Sequence, residues 1–321
     1  MVRWVTVLAA LAMLVRGGSA DAQTRVTLKS AAAGSSYYMM TVQLGEMLRG
    51  ATNGGMTATV EESQGSVQNV REAPRRPGNF VFTSPPSLVR DAQAGREPFR
   101  AEPGYADIRT LFVMPPITMH FVVRGDSGVS NLAELAGRSF VAGGRGTFTE
   151  RQTLALFRLL GIESQVRIVD VELNAAVNAM RNRQIDGFAT GSTHPTSHIQ
   201  ELAATTSIRL LSLTPEQIQR VVSADPSVSQ VTIAAGTYPN QTADVMTFGL
   251  PVGAYTTTRM DDQTAYDITR IFWSRAAEMA RQNAWWGAVA PRDAVSLGVR
   301  LHPGAVRYYT EAGIAVPAEL R

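Results

Sequence analysis

The chain has 321 residues, 45% hydrophobic and 18% charged, which excludes a disordered polypeptide and supplies core enough for two ordinary domains or one large α/β domain. The absence of cysteine excludes a disulfide scaffold, a thiol nucleophile and any thiolate metal site. The net charge of +3, carried almost wholly by arginine with Lys29 the single lysine, is too small for a nucleic-acid footprint, and no basic run with interleaved aromatics accompanies it.

The first segment reads as a secretory signal peptide over residues 1–22. Arg3 supplies the positive start, Val5 to Val15 is almost wholly apolar, and Ala20-Asp21-Ala22 is a small-x-small exit. The apolar run falls short of the roughly 20 residues that span a bilayer, so export is expected rather than a retained anchor or a stable membrane insertion. Loss of Arg3, Arg16 and Asp21 with the leader leaves a net charge of +2.

Short β-type and helical runs then alternate. Strands are predicted at 25–30, 56–61, 79–83, 108–114, 118–123, 138–142, 165–169 and 185–190. Helices are predicted at 37–49, 66–73, 86–94, 147–160 and 174–183, with another starting at Pro195. Such alternation argues for parallel sheets with helices on both faces, and for ligands at the carboxyl ends of strands. Met114-Pro115-Pro116 separates two strand-like runs, and a second break at 235–240 precedes the strand-like 245–250, which suggests two lobes. The alternative is two surface loops in one domain. Residues 261–282 form a long amphipathic helix, with Ile268, Ile271, Phe272, Ala276 and Met279 at helical spacing and Asp261-Asp262 suited to its start.

Candidate chemistry gathers at four small-polar turns between strands and helices. Ala33-Gly34-Ser35-Ser36-Tyr37-Tyr38 follows the first strand and Ser63-Gln64-Gly65-Ser66 the second. Gly143-Gly144-Arg145-Gly146-Thr147 and Thr190-Gly191-Ser192-Thr193 lie in the middle of the chain. Glycine permits the sharp turn, serine and threonine cap the helix, and first-turn amides point outward to an anion. Each turn alone is an ordinary cap; together they read as donors around one small anion.

These segments resemble the TAXI-type substrate-binding proteins of TRAP transporters. The likeness is carried by the opening turn with its paired tyrosines, Gly65-Ser66-Val67-Gln68-Asn69-Val70, His120 to Gly137, Gly146-Thr147, Ala235 to Gln241 and Leu301 to Tyr309. The resemblance implies a two-lobed α/β periplasmic binding protein of type II-like fold, with parallel-rich sheets and a ligand cleft between lobes. It implies lobe 1 at 24–116 plus 241–321 and lobe 2 at 117–240. It also implies a receptor that delivers a small organic anion, such as 2-oxoglutarate, glutamate or a related carboxylate, to a TRAP-type permease without a cofactor. The expected ligand contacts are Ser35, Ser36, Tyr37, Tyr38, Ser66, Thr83, Ser84, Arg145, Gly146, Thr147, Thr190 and Tyr238.

Two departures from the family pattern stand out. Gly78 to Pro86 stands where the family usually has an acidic residue and a Gln-x-Asp-like stretch, and Arg145 stands where serine is common. An arginine beside helix amides can hold a carboxylate in a bidentate fork, which tilts the expectation toward a dicarboxylate; a solvent-facing Arg145 is the alternative. Arg124 reads equally as an interlobe ion pair or a ligand clamp. His194 and His198, four apart, could bind a metal, but no glutamate stands between them as in a zinc protease, and a helix start accounts for Pro195. Trp285-Trp286 reads as packing. No nucleophile elbow, phosphate loop or dinucleotide fingerprint is present, so an enzyme is not expected. A receptor presenting its ligand to a sensor kinase, and an exported hydrolase, remain as alternatives.

Overall fold

Two long strands crossing the whole sheet organise the chain. The computed structural model describes residues 23–321, so the expected signal peptide lies outside the described residues. In chain order the elements are β1 (Thr24–Lys29), α1 (Ser36–Ala51), β2 (Met56–Glu61), α2 (Ser66–Glu72), β3 (Phe80–Ser84), α3 (Pro86–Gln93) and β4 (Ile108–Arg124). There follow β5 (Ser139–Val141), α4 (Phe148–Leu160), β6 (Arg167–Ile168), α5 (Leu173–Arg181), β7 (Gly187–Ser192) and α6 (Ser197–Thr205). The chain closes with β8 (Ile208–Leu210), α7 (Pro215–Ala224), β9 (Ser229–Ile233), β10 (Val245–Thr257), α8 (Asp262–Gln282) and α9 (Pro303–Glu311).

The strands form one curled mixed sheet in the order β2-β1-β3-β10-β4-β7-β5-β6, with β8 added to β4 and β9 to β10. The outer triplets β2-β1-β3 and β7-β5-β6 are parallel, as strand–helix alternation predicts. The crossing pair β4 and β10 is antiparallel to its partner and to both triplets, which alternation does not predict. The Met114-Pro115-Pro116 step, expected to lie between separate strands, falls inside the continuous β4. Pairing jumps from Ile117↔Leu250 to Met114↔Val252, so Pro115, Pro116 and Pro251 sit together in an irregularity of the ladder. Proline has no N–H to donate, and a bulge is where a sheet tolerates it.

Alternation along β4 builds the core on both faces. Phe121 and Val123 join a large cluster that runs under both triplets, whereas Val122 joins a smaller one with Val141, Met180, Phe188 and Ile199. Helix α8 forms as its apolar spacing predicts, with the Asp261 carboxylate capping it by accepting the Thr264 N–H at 2.7 Å. Phe272 stacks on Phe112 at 3.9 Å between centroids and meets Trp273 and Trp286 edge-on. Trp286 is buried and donates to Gln43 Oε1 at 2.8 Å, so it packs α8 and its following turn against α1. Removing the Phe272 ring leaves a cavity among three aromatics. Phe272→Ala is expected to cost about 3–5 kcal/mol, read as a lowered urea midpoint at unchanged slope.

Candidate functional site

A cavity of about 420 Å³ opens between the two triplets at the carboxyl ends of β1, β3, β5 and β7. Ser30, Thr83, Gly143 and Gly191 come from those strand ends, and Ile117 and Val252 of the crossing pair form its floor. Four helix starts meet it: Ser35 and Tyr37 of α1, Gly65 and Ser66 of α2, Thr147 to Thr149 of α4, and Glu172 to Asn174 of α5. Helix starts leave backbone N–H groups without intrahelical partners, so the wall carries positive potential from amides. Gly143 is required in the α4 turn: its φ is +118°, and a Cβ there would lie 2.3 Å from Thr149 Cγ2.

Most of the hydroxyls expected to touch ligand are already held by the protein. Ser35 Oγ accepts the Tyr38 N–H at 3.2 Å, and Thr147 Oγ1 accepts the Glu150 N–H at 3.0 Å while donating to the Gly144 carbonyl at 2.8 Å. Ser30 Oγ and Thr83 Oγ1 pair at 2.8 Å. Tyr37 lines the cavity with its ring, while its hydroxyl donates to the Pro115 carbonyl at 2.6 Å; burial raises its pKa. Ser36 faces away from the cavity and ties the halves together. Its N–H donates to Ser192 Oγ at 3.2 Å and its hydroxyl to the Thr193 carbonyl at 2.5 Å. Thr190 is different: it is 2% exposed, lines the cavity, and its hydroxyl has no hydrogen-bond partner among the described residues.

The structure places the remaining expected contacts elsewhere. Arg145, with 79% of its side chain exposed, pairs with Asp170 at 3.0 Å outside the cavity, because the left-handed Gly144 and Gly146 turn it toward solvent. Gly146 donates its N–H to Glu150 Oε2 at 2.6 Å. Tyr38 is half-buried on α1, away from the cavity lining, and Ser84 is buried with its hydroxyl on the Pro85 carbonyl. Tyr238 is buried beneath β4 and β7, where its hydroxyl meets His120 Nε2 at 2.9 Å and accepts the Thr196 N–H at 3.1 Å. Arg124 forms ion pairs with Asp126 at 3.0 Å and Asp186 at 3.4 Å in its own half.

Sequence reasoning passed over Glu62, Gln68, Thr149, Glu172 and Asn174, all of which line the cavity. Glu172 to Asn174 is a fifth strand-to-helix junction, between β6 and α5, unmarked because it contains neither glycine nor serine. Its carboxylate accepts from Gln64 Nε2 at 3.4 Å, across the mouth from one half to the other. Gln68 is held by a charge cluster behind the wall. Its Nε2 donates to Glu72 at 2.9 Å, and Glu72 pairs with Lys29 at 3.1 Å and Arg76 at 2.7 Å. Burial pulls the Glu72 pKa up, but the hydrogen bonds from Arg76, Lys29 and Gln68 bring it below its ordinary value. The single lysine is thereby engaged outside the cavity.

The profile of the NMT1-like family matches residues 28–313. Several solved structures share the fold at low identity. The periplasmic binding protein BugD aligns with a TM-score of 0.58 at 14% identity, over 91% of this chain and 98% of its own. MatC from Rhodopseudomonas palustris, solved with bound malate, aligns with a TM-score of 0.58 at 13% identity, over 89% and 98%. A protein described as a periplasmic transporter aligns with a TM-score of 0.51 at 14% identity, over 90% and 93%. Among the described residues no helix is long and apolar enough to cross a membrane.

Next to the cavity, His194 lies in the turn after β7, His198 in the first turn of α6, and His120 on β4. His194 Nδ1 meets Thr118 Oγ1 at 2.8 Å, and His120 Nδ1 meets the Thr118 carbonyl at 3.0 Å. His198 packs on Gly34, where a Cβ would lie 2.0 Å from its Nε2, so the opening turn approaches α6 only with glycine. Helix α6 starts at Ser197 with Thr196 as its N-cap residue, two residues later than Pro195 suggests. Burial lowers the pKa of all three rings and pushes His120 down to about 3. Unfolding lets each ring take up a proton near its ordinary 6.5, so the neutral folded form is fully favoured above that pH and loses ground as pH falls. The thermal midpoint is expected to be flat above about pH 7 and to fall from about pH 6.5 toward 4, with a shallower fall in His120→Gln.

Proposed function

Because the chain belongs to the NMT1-like family, we propose that it is a periplasmic solute receptor that closes over a small organic anion and delivers it to a membrane permease. The observation that carries this reading is the meeting of the starts of α1, α4 and α5 on one cavity of about 420 Å³, the size of a small-molecule site. Carboxylate oxygens are received by first-turn amides such as those of Phe148 and Thr149 and by the Thr190 and Ser66 hydroxyls. The capping hydroxyls of Ser35 and Thr147 hold the helix starts in place. Each hydrogen bond to a charged group contributes about 1.5–3 kcal/mol. Three or four of them support micromolar binding, about −8 kcal/mol, after the ordering costs of association. The Tyr37 ring packs on the ligand's carbon skeleton.

In this reading residues 24–116 plus 241–321 form one lobe and 117–240 the other, hinged where Pro115, Pro116 and Pro251 interrupt the crossing ladder. Gln64 to Glu172, and Arg151 to the Glu97 carbonyl at 3.2 Å, bridge the lobes at the mouth. A ligand that touches both lobes binds the closed state better and shifts the population toward it, and a permease reads that state. The sequence resemblance to TAXI-type receptors supports a TRAP-type permease as the partner, with no cofactor in the receptor and no catalysis.

Thermal-shift screening against small carboxylates is the direct test, since binding to the folded state raises the midpoint by mass action. A sugar or metal that shifts the midpoint where no carboxylate does overturns the proposal. Thr190→Val is expected to weaken carboxylate binding by about 10- to 100-fold in calorimetry. Arg145→Ala is expected to leave it within about twofold, as for a solvent-facing ion pair.

A further inference from the structure

Hydrogen bonds between the two halves fall into two sets. Next to the proline step they are buried: Ser36 meets Ser192 and the Thr193 carbonyl, and Tyr37 meets the Pro115 carbonyl. At the mouth they are exposed: Gln64 Nε2 meets Glu172 at 3.4 Å, and Arg151 Nη2 donates to the Glu97 carbonyl at 3.2 Å. Rotation of one half about the proline step barely separates the first set and parts the second, because displacement grows with distance from the axis.

Arg151 lies in the first turn of α4, three residues after Phe148, and does not line the cavity. Among the described residues it makes no ion pair, with the mouth acids Glu62 and Glu172 included, so the Glu97 carbonyl is its partner across the mouth. That carbonyl stands on a well-held loop after α3. Arg96 pairs with Asp91 at 2.8 Å, and the buried Phe99 meets Tyr105 edge-on at 5.7 Å between centroids. Arg71 of α2 donates to the next carbonyl, that of Pro98, at 3.2 Å. Two adjacent carbonyls are therefore taken by two arginines, one from each half. Both arginines sit on helices whose first residues line the cavity, Ser66 of α2 and Phe148 of α4.

We propose that Arg151 is the positioning residue of closure, a clasp that joins α4 to the 97–98 loop and sets how long the mouth stays shut without touching the ligand. The proposal rests on the hinged-receptor reading above and names a residue that governs its closed state. The clasp uses only groups of the protein, so it acts before a ligand arrives. The unliganded receptor visits the closed arrangement, and a ligand that touches both halves prolongs the visit.

The chain has no cysteine, so a pair of spin labels can be introduced without background. Ala94→Cys just after α3 and Ala155→Cys on α4, both exposed, place one label on each side of the mouth. Electron–electron resonance on the unliganded mature chain is expected to show a short distance for the closed arrangement and a longer one for the open. Arg151→Met keeps the aliphatic stem and removes the donors. It is expected to lower the short-to-long ratio about three- to fivefold. Arg71→Met is expected to act in the same direction, and the double variant by less than the product of the two, since both arginines hold one loop. Arg145→Ala, another exposed arginine near the start of α4, is expected to leave the ratio unchanged. Unfolded protein adds a broad background and no discrete distance, so a loss of stability does not imitate the shift. A ratio unchanged in Arg151→Met overturns the clasp, and if 2-oxoglutarate or another small carboxylate still enriches the short distance, the receptor reading stands. A ratio that falls in Arg151→Met while no small carboxylate enriches the short distance supports the clasp and overturns the receptor reading. A single distance that neither substitution nor carboxylate moves overturns both.

Discussion

The irregular step where Pro115, Pro116 and Pro251 meet is the constraint on which the rest of the molecule depends. Prolines cannot donate to a ladder, so the two crossing strands lose register where they pass between the parallel triplets. The carbonyls left there accept hydrogen bonds from side chains on opposite sides. Tyr37 at the start of α1 donates to the Pro115 carbonyl, and Thr193 after β7 donates to the Pro116 carbonyl at 2.8 Å. Ser36 adds its bonds to Ser192 and Thr193. The helix start that faces the cavity is thus anchored to the strand irregularity beneath it, with Ile117 and Val252 flanking the prolines as the cavity floor.

A division of labour among polar groups follows. Buried hydroxyls are costly unless paired, so Ser30, Ser35, Ser63, Thr83 and Thr147 make local bonds that hold turns and helix starts. What they hold out toward the cavity is backbone N–H, which costs no side-chain entropy to orient. The charged groups are placed in keeping with this: Lys29 and Arg76 sit in the cluster behind α2, and neither lysine nor arginine is among the residues that line the cavity.

The buried network under β4 and β7 has a related role. His120, Tyr238 and the Thr196 amide satisfy one another, and His194 reads the Thr118 hydroxyl, so the turn after β7 is fixed against the crossing strand. Desolvation keeps these rings neutral, which ties the integrity of this corner to pH above the ordinary histidine range. Tyr238 thus belongs to the frame of the second half rather than to the cavity lining.

Periodicity and turn chemistry are local properties, and they were legible. The parallel triplets, the long α8 with its Asp261 cap, and the strand-to-helix turns at Ser35, Ser66 and Thr147 all follow from residues within one or two turns of each other. The antiparallel crossing pair, the continuity of β4 through two prolines and the helix α7 were not legible from that pattern. For the crossing pair the reason is that it depends on partners more than a hundred residues apart. In the site, the sequence located helix starts but not the direction of side chains. Arg145 beside a helix start reads as a carboxylate clamp until the left-handed glycines around it turn it to solvent, and Ser36 reads as a ligand contact until Ser192 and Thr193 arrive beside it. Glu172 and Gln64, 108 residues apart, become neighbours only when both halves stand around one cavity. Sequence by itself determined which segments turn and cap; tertiary structure alone decided which of their polar atoms face the cavity unpaired, because that depends on every other donor and acceptor brought within reach.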